Sequence, residues 1–261
     1  MVSLKKSFHN NRKIVLTLIL SFFFLITFLR INFKGGILHT GGYNTLKNML
    51  LSLLKPDLSP EIIIIAIKSC WQTFSYALIS ISVAILISFP LAILASGIIL
   101  KNKIMIWTIR GIIGFLRAIH ELIWAWIFVA AIGLTPIGAI FALAIPYAGY
   151  FGKIFTDLLE ETPKSPIIAL ELSGAGKLQK MIYGYLPATF PNMFSYIMYR
   201  LECAIRSSSV LSFIGLGGIG FQIQISLQDL KYNQVWTFMF FLIGMIIVID
   251  KWGYEIRRRI K

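Results

Sequence analysis

Apolar runs of the length that a membrane-crossing helix needs constrain this chain more than any other feature. The first extends from Ile14 to Phe33 and carries a single charge, Arg30. A helix needs about 20 apolar residues to cross roughly 30 Å of hydrocarbon. Only 14% of the whole chain is charged, against about 25% in soluble domains. We therefore expect an all-α integral membrane protein with about six transmembrane helices. The other predicted spans are residues 71–100, 120–133, 137–159, 192–214 and 233–249.

The distribution of cations predicts which side of the membrane each connection occupies. The chain has 25 Lys and Arg against 11 Asp and Glu, an excess that would point to nucleic acid in a soluble protein. Cytoplasmic loops carry the excess of Lys and Arg in membrane proteins, so both termini and the loop at 160–190 are predicted to be cytoplasmic. The expected partner is membrane lipid, not nucleic acid. Of the cations, 16 lie in residues 1–13, 101–117, 160–191 and 251–261, and 5 lie in residues 34–68, 134–136 and 215–232.

Three regions are predicted along the chain. Residues 1–70 are expected to form a transmembrane helix and a long non-cytoplasmic connection, residues 71–250 a membrane core, and residues 251–261 a basic cytoplasmic tail. A secretory signal peptide also starts with charge, but its apolar core is only about 7–15 residues and ends at a small-residue cleavage site. The first run is longer and no such site follows it, so an uncleaved span is expected.

The most regular polar stretch lies within the 160–190 loop. Residues 168–187 carry helix formers up to Ser173, turn at Gly174-Ala-Gly176, and continue as an amphipathic segment that Pro187 is predicted to end. A helix, a turn and a second helix between two spans predict a docking surface for a partner in the water phase.

Two short motifs look like nucleotide and zinc sites but lack what those sites need. Gly174–Lys177 resembles a phosphate-binding loop, yet Glu171 and Leu178 stand where that motif requires Gly and Ser or Thr. His120-Glu121 starts like the zinc peptidase motif, but Trp124 occupies the position of the second His. No metal site and no cofactor are therefore expected.

A glycine-rich segment follows the predicted fifth span and fits the pattern Gly-x-Gly-x-x-Gly. Dinucleotide binding by that pattern needs a strand before it and a helix after it in a βαβ unit, for which there is no room between two membrane spans. We predict instead a tight loop at the outer mouth, formed by Gly215, Gly217, Gly218 and Gly220.

Ionisable residues inside the fifth span point to a pathway. Arg200, Glu202 and Arg206 lie where charge is costly, and such residues face a bundle interior or a water cavity. Glu202 and Arg206 are spaced i, i+4 and could pair on one helix face, leaving Arg200 with positive charge to offer. The set forms either an anion path or gate, or a structural ion pair that fixes helix packing. Further hydrogen-bond donors follow at Ser207, Ser208 and Ser209.

The loop resembles that of ABC importer permeases, which has the form Glu-Ala-Ala, three residues, Gly, nine residues, Ile, one residue, Leu-Pro. Ile168 and Gly184 depart from that pattern. Residues 117–128 and 199–220 are similar to the corresponding stretches of phosphonate and phosphite permeases, in a likeness that covers roughly residues 70–250. The matching loop positions are Ala169, Leu170, Gly174, Leu186 and Pro187.

The resemblance implies the type I ABC importer permease fold and a permease subunit that moves phosphonate, phosphite or a related phosphorus oxyanion across the bacterial cytoplasmic membrane. It implies a homodimer, two ATPase subunits and an external solute-binding protein, so the chain would be a transport subunit and not an enzyme. Coupling to the ATPase is expected at Ala169, Leu170, Glu171, Gly174, Leu186 and Pro187.

Three other functions are open on the sequence. A permease of the same class for another small solute, such as an amino acid, would carry the same loop. A membrane enzyme acting on lipid phosphate could bind the headgroup through Arg200 and Arg206, although no nucleophile or metal site accompanies them. A passive channel would need no ATPase.

Overall fold

The computed structural model describes residues 2–30 and 42–260, and within those ranges the chain forms helices and short turns without any strand. It divides into two compact units, Met1–Leu50 and Leu51–Lys261. The helices are α1 (Val2–Arg30), α2 (Gly42–Ser52), α3 (Pro60–Ala95), α4 (Lys103–Ala118), α5 (Glu121–Ile132), α6 (Pro136–Glu160), α7 (Lys164–Leu172), α8 (Lys177–Lys180), α9 (Leu186–Leu211), α10 (Ile219–Gln228) and α11 (Tyr232–Ile260).

The first unit contains the first predicted span. Its helix α1 has 29 residues, a length of about 43 Å, and the part from Lys13 to Arg30 is apolar enough to cross a membrane. Side chains there are exposed, as in Phe24 at 72%, which suits contact with lipid. Residues 31–33 of the predicted span and 34–41 of the predicted connection lie outside the described residues.

The second predicted span begins earlier than expected. Helix α3 starts at Pro60 and has 36 residues, so the helix begins within the residues predicted as the connection. The local reason is a strong helix start: Pro60 occupies the first turn, where its missing N–H costs nothing, and Glu61 lies near the positive end of the helix dipole. The helix continues through Pro90.

Two pairs of consecutive helices are bent sharply at a short break. Within residues 2–30 and 42–260, four helices are long and apolar enough to cross a membrane alone, and the count reaches six if each bent pair is one span. Helix α5 matches the bounds predicted for the third span, 120–133, but its 12 residues cover only about 18 Å, too short to cross the membrane alone. Helix α4 meets α5 at an angle of 87°, and the two pass the length and composition test for a span only when they are taken together. The helical run Lys177–Ile214 and α10 form the other pair, bent by 40°.

Helix α6 lies at the centre of the second unit. Its large side chains Phe151, Phe155 and Leu159 are almost completely buried. Its glycines let α4 come close: a Cβ at Gly149 would lie 2.7 Å from the backbone nitrogen of Arg117. Small residues at such crossings are how membrane helices achieve close van der Waals packing.

The helices of the second unit alternate in direction. Gln234 of α11 donates to Asp57, just before α3, at 3.2 Å, and Arg110 of α4 pairs with Glu160 at the end of α6. The pKa of Asp57 is lowered, chiefly because the Ser59 backbone N–H donates to its carboxylate. The starts of α3 and α11 therefore share one end of the unit. The α3–α4 turn and the loop at 160–190 share the other, which we call the coupling end.

Candidate transport site

An arginine surrounded by tyrosines lies halfway along α9. Arg200 is 14 residues from Leu186, about 21 Å along the helix. Its Nε donates to the hydroxyl of Tyr196 at 2.7 Å, and its Cζ lies 4.2 Å from the ring centroid of Tyr150. Three more ring centroids lie within 6 Å of Cζ: Tyr196 at 5.3 Å, Tyr147 at 5.9 Å and Tyr199 at 5.9 Å. We call Arg200 and these four tyrosines the tyrosine cluster.

The cluster keeps Arg200 in the membrane without neutralising it. Among the described residues no carboxylate lies within 4.0 Å of its guanidinium group. Each cation–π contact contributes about 0.5–2 kcal/mol, which offsets part of the cost of a charge at this depth and leaves the charge in place. The arrangement therefore offers an anion several hydroxyl donors and one cation that, within the described residues, has no carboxylate in direct contact.

The loop at 160–190, which we call the coupling loop, contains a sharp turn after α7. The Gly174 N–H donates to the Glu171 carbonyl and the Ala175 N–H to the Leu170 carbonyl, both at 3.0 Å. This is the Schellman pattern, whose glycine adopts positive φ, here +83°. Lys180 also pairs with Glu171 at 3.3 Å. Two backbone hydrogen bonds and an ion pair therefore stabilise the turn between α7 and α8.

The coupling loop runs into the fifth span without a break. The prediction that Pro187 ends the second helix of the loop is wrong, because the helical run extends from Lys177 to Ile214. Pro187 occupies the first turn of α9, where proline is tolerated. A π-helical turn, Met181–Tyr185, joins α8 to α9. The run from Lys177 to Arg200 measures about 35 Å, so one continuous helical segment connects the second half of the loop to the tyrosine cluster.

Gly184 explains how the departure from the permease loop pattern is accommodated. A Cβ there would lie 2.5 Å from Cδ1 of Ile167 and 3.0 Å from Cδ1 of Leu170. The side chains of α7 therefore fill the space that a larger residue at 184 would need. The glycine lets α7 pack directly on the π-helical turn.

The coupling loop also exposes apolar surface. Leu172 is 84% exposed, Tyr183 72% and Leu178 64%. A cavity of about 290 Å³ lies beside them, lined by Leu170, Ser173, Gly174, Ala175, Gln179 and Tyr183. Exposed apolar residues next to a concave, polar-rimmed surface are typical of protein interaction sites.

The family model described as the inner membrane component of binding-protein-dependent transport systems matches residues 84–260. The chain belongs to this family.

Named relatives and solved structures agree with that membership. HtxC of Stutzerimonas stutzeri, named for a phosphite transport system, is 30% identical to this permease over 209 residues, covering 80% of this chain and 73% of HtxC. The phosphate-import permease PhnE of Mycolicibacterium smegmatis is 30% identical over 187 residues, covering 72% and 35%. A chain of the inward-facing MetNI methionine ABC transporter has a TM-score of 0.69 at 22% identity, covering 78% of this chain and 100% of that one.

The permease is therefore a multi-pass membrane protein with the type I ABC importer fold. It is a transport subunit and not an enzyme, with ATP hydrolysis in a separate subunit. Membership of this family also implies a solute-binding partner.

Two predicted partners in the fifth span of the permease do not pair with each other. The prediction that Glu202 meets Arg206 is wrong, because Glu202 pairs with Arg257 of α11 and Arg206 lies 4.0 Å from Asp250. A Cβ at Gly253 would overlap the Glu202 carboxylate, so that glycine makes the room for the pair. These two ion pairs connect α9 to α11. Of the charged residues predicted in the fifth span, Arg200 in the tyrosine cluster is the one that stays available to an anion.

The three serines of the permease face different ways. Ser207 Oγ donates to Glu121 at 2.7 Å and lies 3.4 Å from the hydroxyl of Tyr147, which places it next to the tyrosine cluster. Ser208 donates to the Thr73 carbonyl of α3 at 3.2 Å. Ser209 donates to the Arg206 carbonyl of its own helix at 2.7 Å. The Ser208 hydroxyl thus connects α9 to α3, and the Ser209 hydroxyl is satisfied within its own helix.

The glycine loop of the permease packs against α3. Gly215, Gly217 and Gly218 all have positive φ, and the N–H of Gly218 donates to Gln72 Oε1 at 3.2 Å. Gly220 lies so close to the Ser209 carbonyl that a Cβ would overlap it. The loop is a tight link between α9 and α10, away from the coupling end.

Sequence reasoning missed the tyrosines that surround Arg200 and the partner of Glu202. Tyr147 and Tyr150 are spaced i, i+3 on α6, and the spacing alone did not distinguish them from ordinary core residues. Two further tyrosines, Tyr196 and Tyr199, precede Arg200 by four residues and one residue in its own span, and that pattern is the available signal. Arg257 lies in the predicted cytoplasmic tail, in a run of three arginines, and no local pattern indicates a partner in the fifth span.

Proposed function

We propose that this chain is the permease subunit of an ATP-driven importer that moves a phosphorus oxyanion, such as phosphite, phosphonate or phosphate, across the cytoplasmic membrane of a bacterium. The observation that carries the proposal is the tyrosine cluster, an uncompensated guanidinium group halfway along a membrane helix. The names of HtxC and PhnE, a phosphite and a phosphate transport protein, support an oxyanion as the solute.

The chemistry of the cluster fits such a solute. A guanidinium group donates in a planar fork that matches two oxygens of a phosphorus oxyanion, and phenol hydroxyls can donate to the others. In the low-dielectric interior these hydrogen bonds are stronger than in water. Arg200 is partly exposed, so an anion can reach it.

We assign the coupling loop to the ATPase. Its exposed residues and its cavity support a docking surface, and the continuous run from Lys177 to Arg200 supports transmission of force to the cluster. Closure of the ATPase would push the loop, and α9 would carry the displacement to the tyrosine cluster. Ala169, Leu170, Glu171, Gly174, Leu186 and Pro187 remain our proposed coupling residues.

The assembly we propose has two copies of this chain, two ATPase subunits and an external binding protein that delivers the anion. The cations of the coupling loop, Lys164, Lys177 and Lys180, support a cytoplasmic position. Tyr199 on α9 is 49% exposed, and Phe213, in the short helical turn that follows α9, is 40% exposed, which leaves a surface for the second copy.

Reconstitution tests this function. The chain with its ATPase and binding protein, in proteoliposomes, is expected to accumulate radiolabelled phosphite when ATP is present. Arg200→Gln should lower the initial rate roughly 10- to 100-fold, the value of a lost charge-assisted hydrogen bond, while assembly is kept. Lys251→Gln removes an exposed cation from α11 and is the control. Uptake of methionine but not phosphite, or equal rates for both variants, contradicts the proposal.

A further inference from the structure

A second group of cations lies between α4 and α6, nearer the coupling end than the tyrosine cluster. It surrounds a cleft of about 130 Å³ lined by Arg110, Ile113, Gly114, Arg117, Lys153, Thr156 and Asp157. We call it the inner cleft. None of these residues belongs to the predicted pathway or to the coupling loop.

The inner cleft carries net positive charge. Arg110 pairs with Glu160 and Lys153 with Asp157, so three cations face two carboxylates. The unmatched cation is Arg117, which has no carboxylate within 4.0 Å in the part of the chain that the structure describes. A free guanidinium group at the edge of a cleft is an open position for an anion.

The cleft is preorganised in two places, at the side chain of Arg110 and at the backbone of Arg117. Nε and Nη2 of Arg110 donate to the Ala95 carbonyl at 3.1 and 3.0 Å, which fixes the direction of that guanidinium group. The backbone of Arg117 is held against α6 by the absence of a side chain at Gly149. Preorganised donors lose little conformational entropy when they bind a ligand.

The size and position of the cleft fit a phosphorus oxyanion. Its volume of about 130 Å³ corresponds to roughly four water molecules in the liquid, which suits the five heavy atoms of a tetrahedral anion. Lys153 follows Tyr150 by three residues on α6, about 4.5 Å along the helix toward the coupling end. The cleft therefore begins about one helical turn closer to the coupling end than the tyrosine cluster.

We infer that the inner cleft is a second binding site, which takes a tetrahedral phosphorus oxyanion on Arg117, Arg110 and Lys153. Two sources share this chemistry. One is the transported anion after it leaves the tyrosine cluster, and that source rests on the proposed function. The other is the headgroup phosphate of an anionic lipid, for which the exposed side chains of Ile104 and Trp107 on α4 offer contact with the acyl chains.

The test uses the full chain in nanodiscs with two probes. Radiolabelled inorganic phosphate is titrated in phosphatidylcholine discs, in an Arg200→Gln background that removes binding at the tyrosine cluster. Retention of phosphatidylglycerol is measured by native mass spectrometry from mixed discs. Arg117→Gln should weaken phosphate binding, phosphatidylglycerol retention or both by roughly tenfold or more. The probe whose binding falls identifies the source of the anion. Lys103→Gln removes an exposed cation of the same helix that does not line the cleft.

The inference is overturned if neither probe responds to Arg117→Gln, or if Lys103→Gln lowers binding as much. Lys153→Gln gives an independent second variant, which should weaken the same probe. The proposed function fails by a separate result, since it requires phosphite uptake to depend on Arg200 whatever happens at the inner cleft.

Discussion

Close packing of α4 on α6 should depend on one glycine and hardly on its neighbour. A Cβ at Gly149 would lie 2.7 Å from the Arg117 nitrogen and 3.0 Å from the Ile113 carbonyl oxygen, and these backbone atoms can yield only if the helices separate. A Cβ at Gly152 would lie 3.2 Å from Cγ1 of Ile113, a side-chain atom that can move. The two glycines share one helix and one neighbouring helix, so they form a matched pair.

The magnitude follows from the contact. Overpacking against atoms that cannot move costs typically about 1–3 kcal/mol, and each kcal/mol shifts the melting temperature of a chain of this size by about 2–4 °C. Both Gly→Ala changes gain about 0.5–1 kcal/mol in helix propensity, which cancels in the comparison. Gly149→Ala should therefore melt roughly 2–12 °C below Gly152→Ala.

The assay is thermal unfolding of the purified chain in detergent, followed by tryptophan fluorescence and by the monodisperse fraction in size exclusion. Gly152→Ala should stay close to the unsubstituted protein. Equal melting temperatures for the two variants would refute the reasoning, because they would mean that α4 does not approach α6 at Gly149.

Two further predictions concern glycines in α11 and the coupling loop. Gly174→Ala should reduce ATP-dependent phosphite uptake more than Gly174→Asn. The φ of +83° at this position costs Ala about 1–2 kcal/mol, while Asn adopts that region more readily. A larger loss with Asn would exclude backbone strain as the cause. Gly253→Ala should lower the melting temperature by several °C relative to Gly244→Ala. A Cβ at Gly253 would overlap the Glu202 carboxylate, whereas a Cβ at Gly244 would have nothing within 4 Å. Equal melting temperatures would argue against the ion pair between Glu202 and Arg257.

The features that sequence predicted well are those that local physics determines. The length of apolar runs predicts spans, and the count of six is consistent with the two bent pairs. The position of Gly174 predicted a turn, and the structure shows the glycine in a left-handed conformation there. These depend on neighbours in the chain, which a sequence displays directly.

The features that sequence missed depend on contacts between distant helices. An i, i+4 spacing allows Arg206 to pair with Glu202. The Glu202 carboxylate instead pairs with Arg257 of α11, which is 55 residues further along the chain. In the sequence alone, the break between α4 and α5 cannot be distinguished from the boundary between a loop and a span. It is a sharp bend at His120, whose ring nitrogen accepts from the Leu122 N–H at 3.3 Å and caps the new helix.

Photo-crosslinking from the coupling loop tests the central claim most directly, that this chain receives work from a separate ATPase. A photoreactive residue replaces Leu172, which is 84% exposed in the loop, or Leu54, which is 79% exposed near the start of α3 at the opposite end. The assembled transporter should give an ATPase adduct from position 172 and none from position 54. No adduct from position 172, or an equal adduct from position 54, would contradict it.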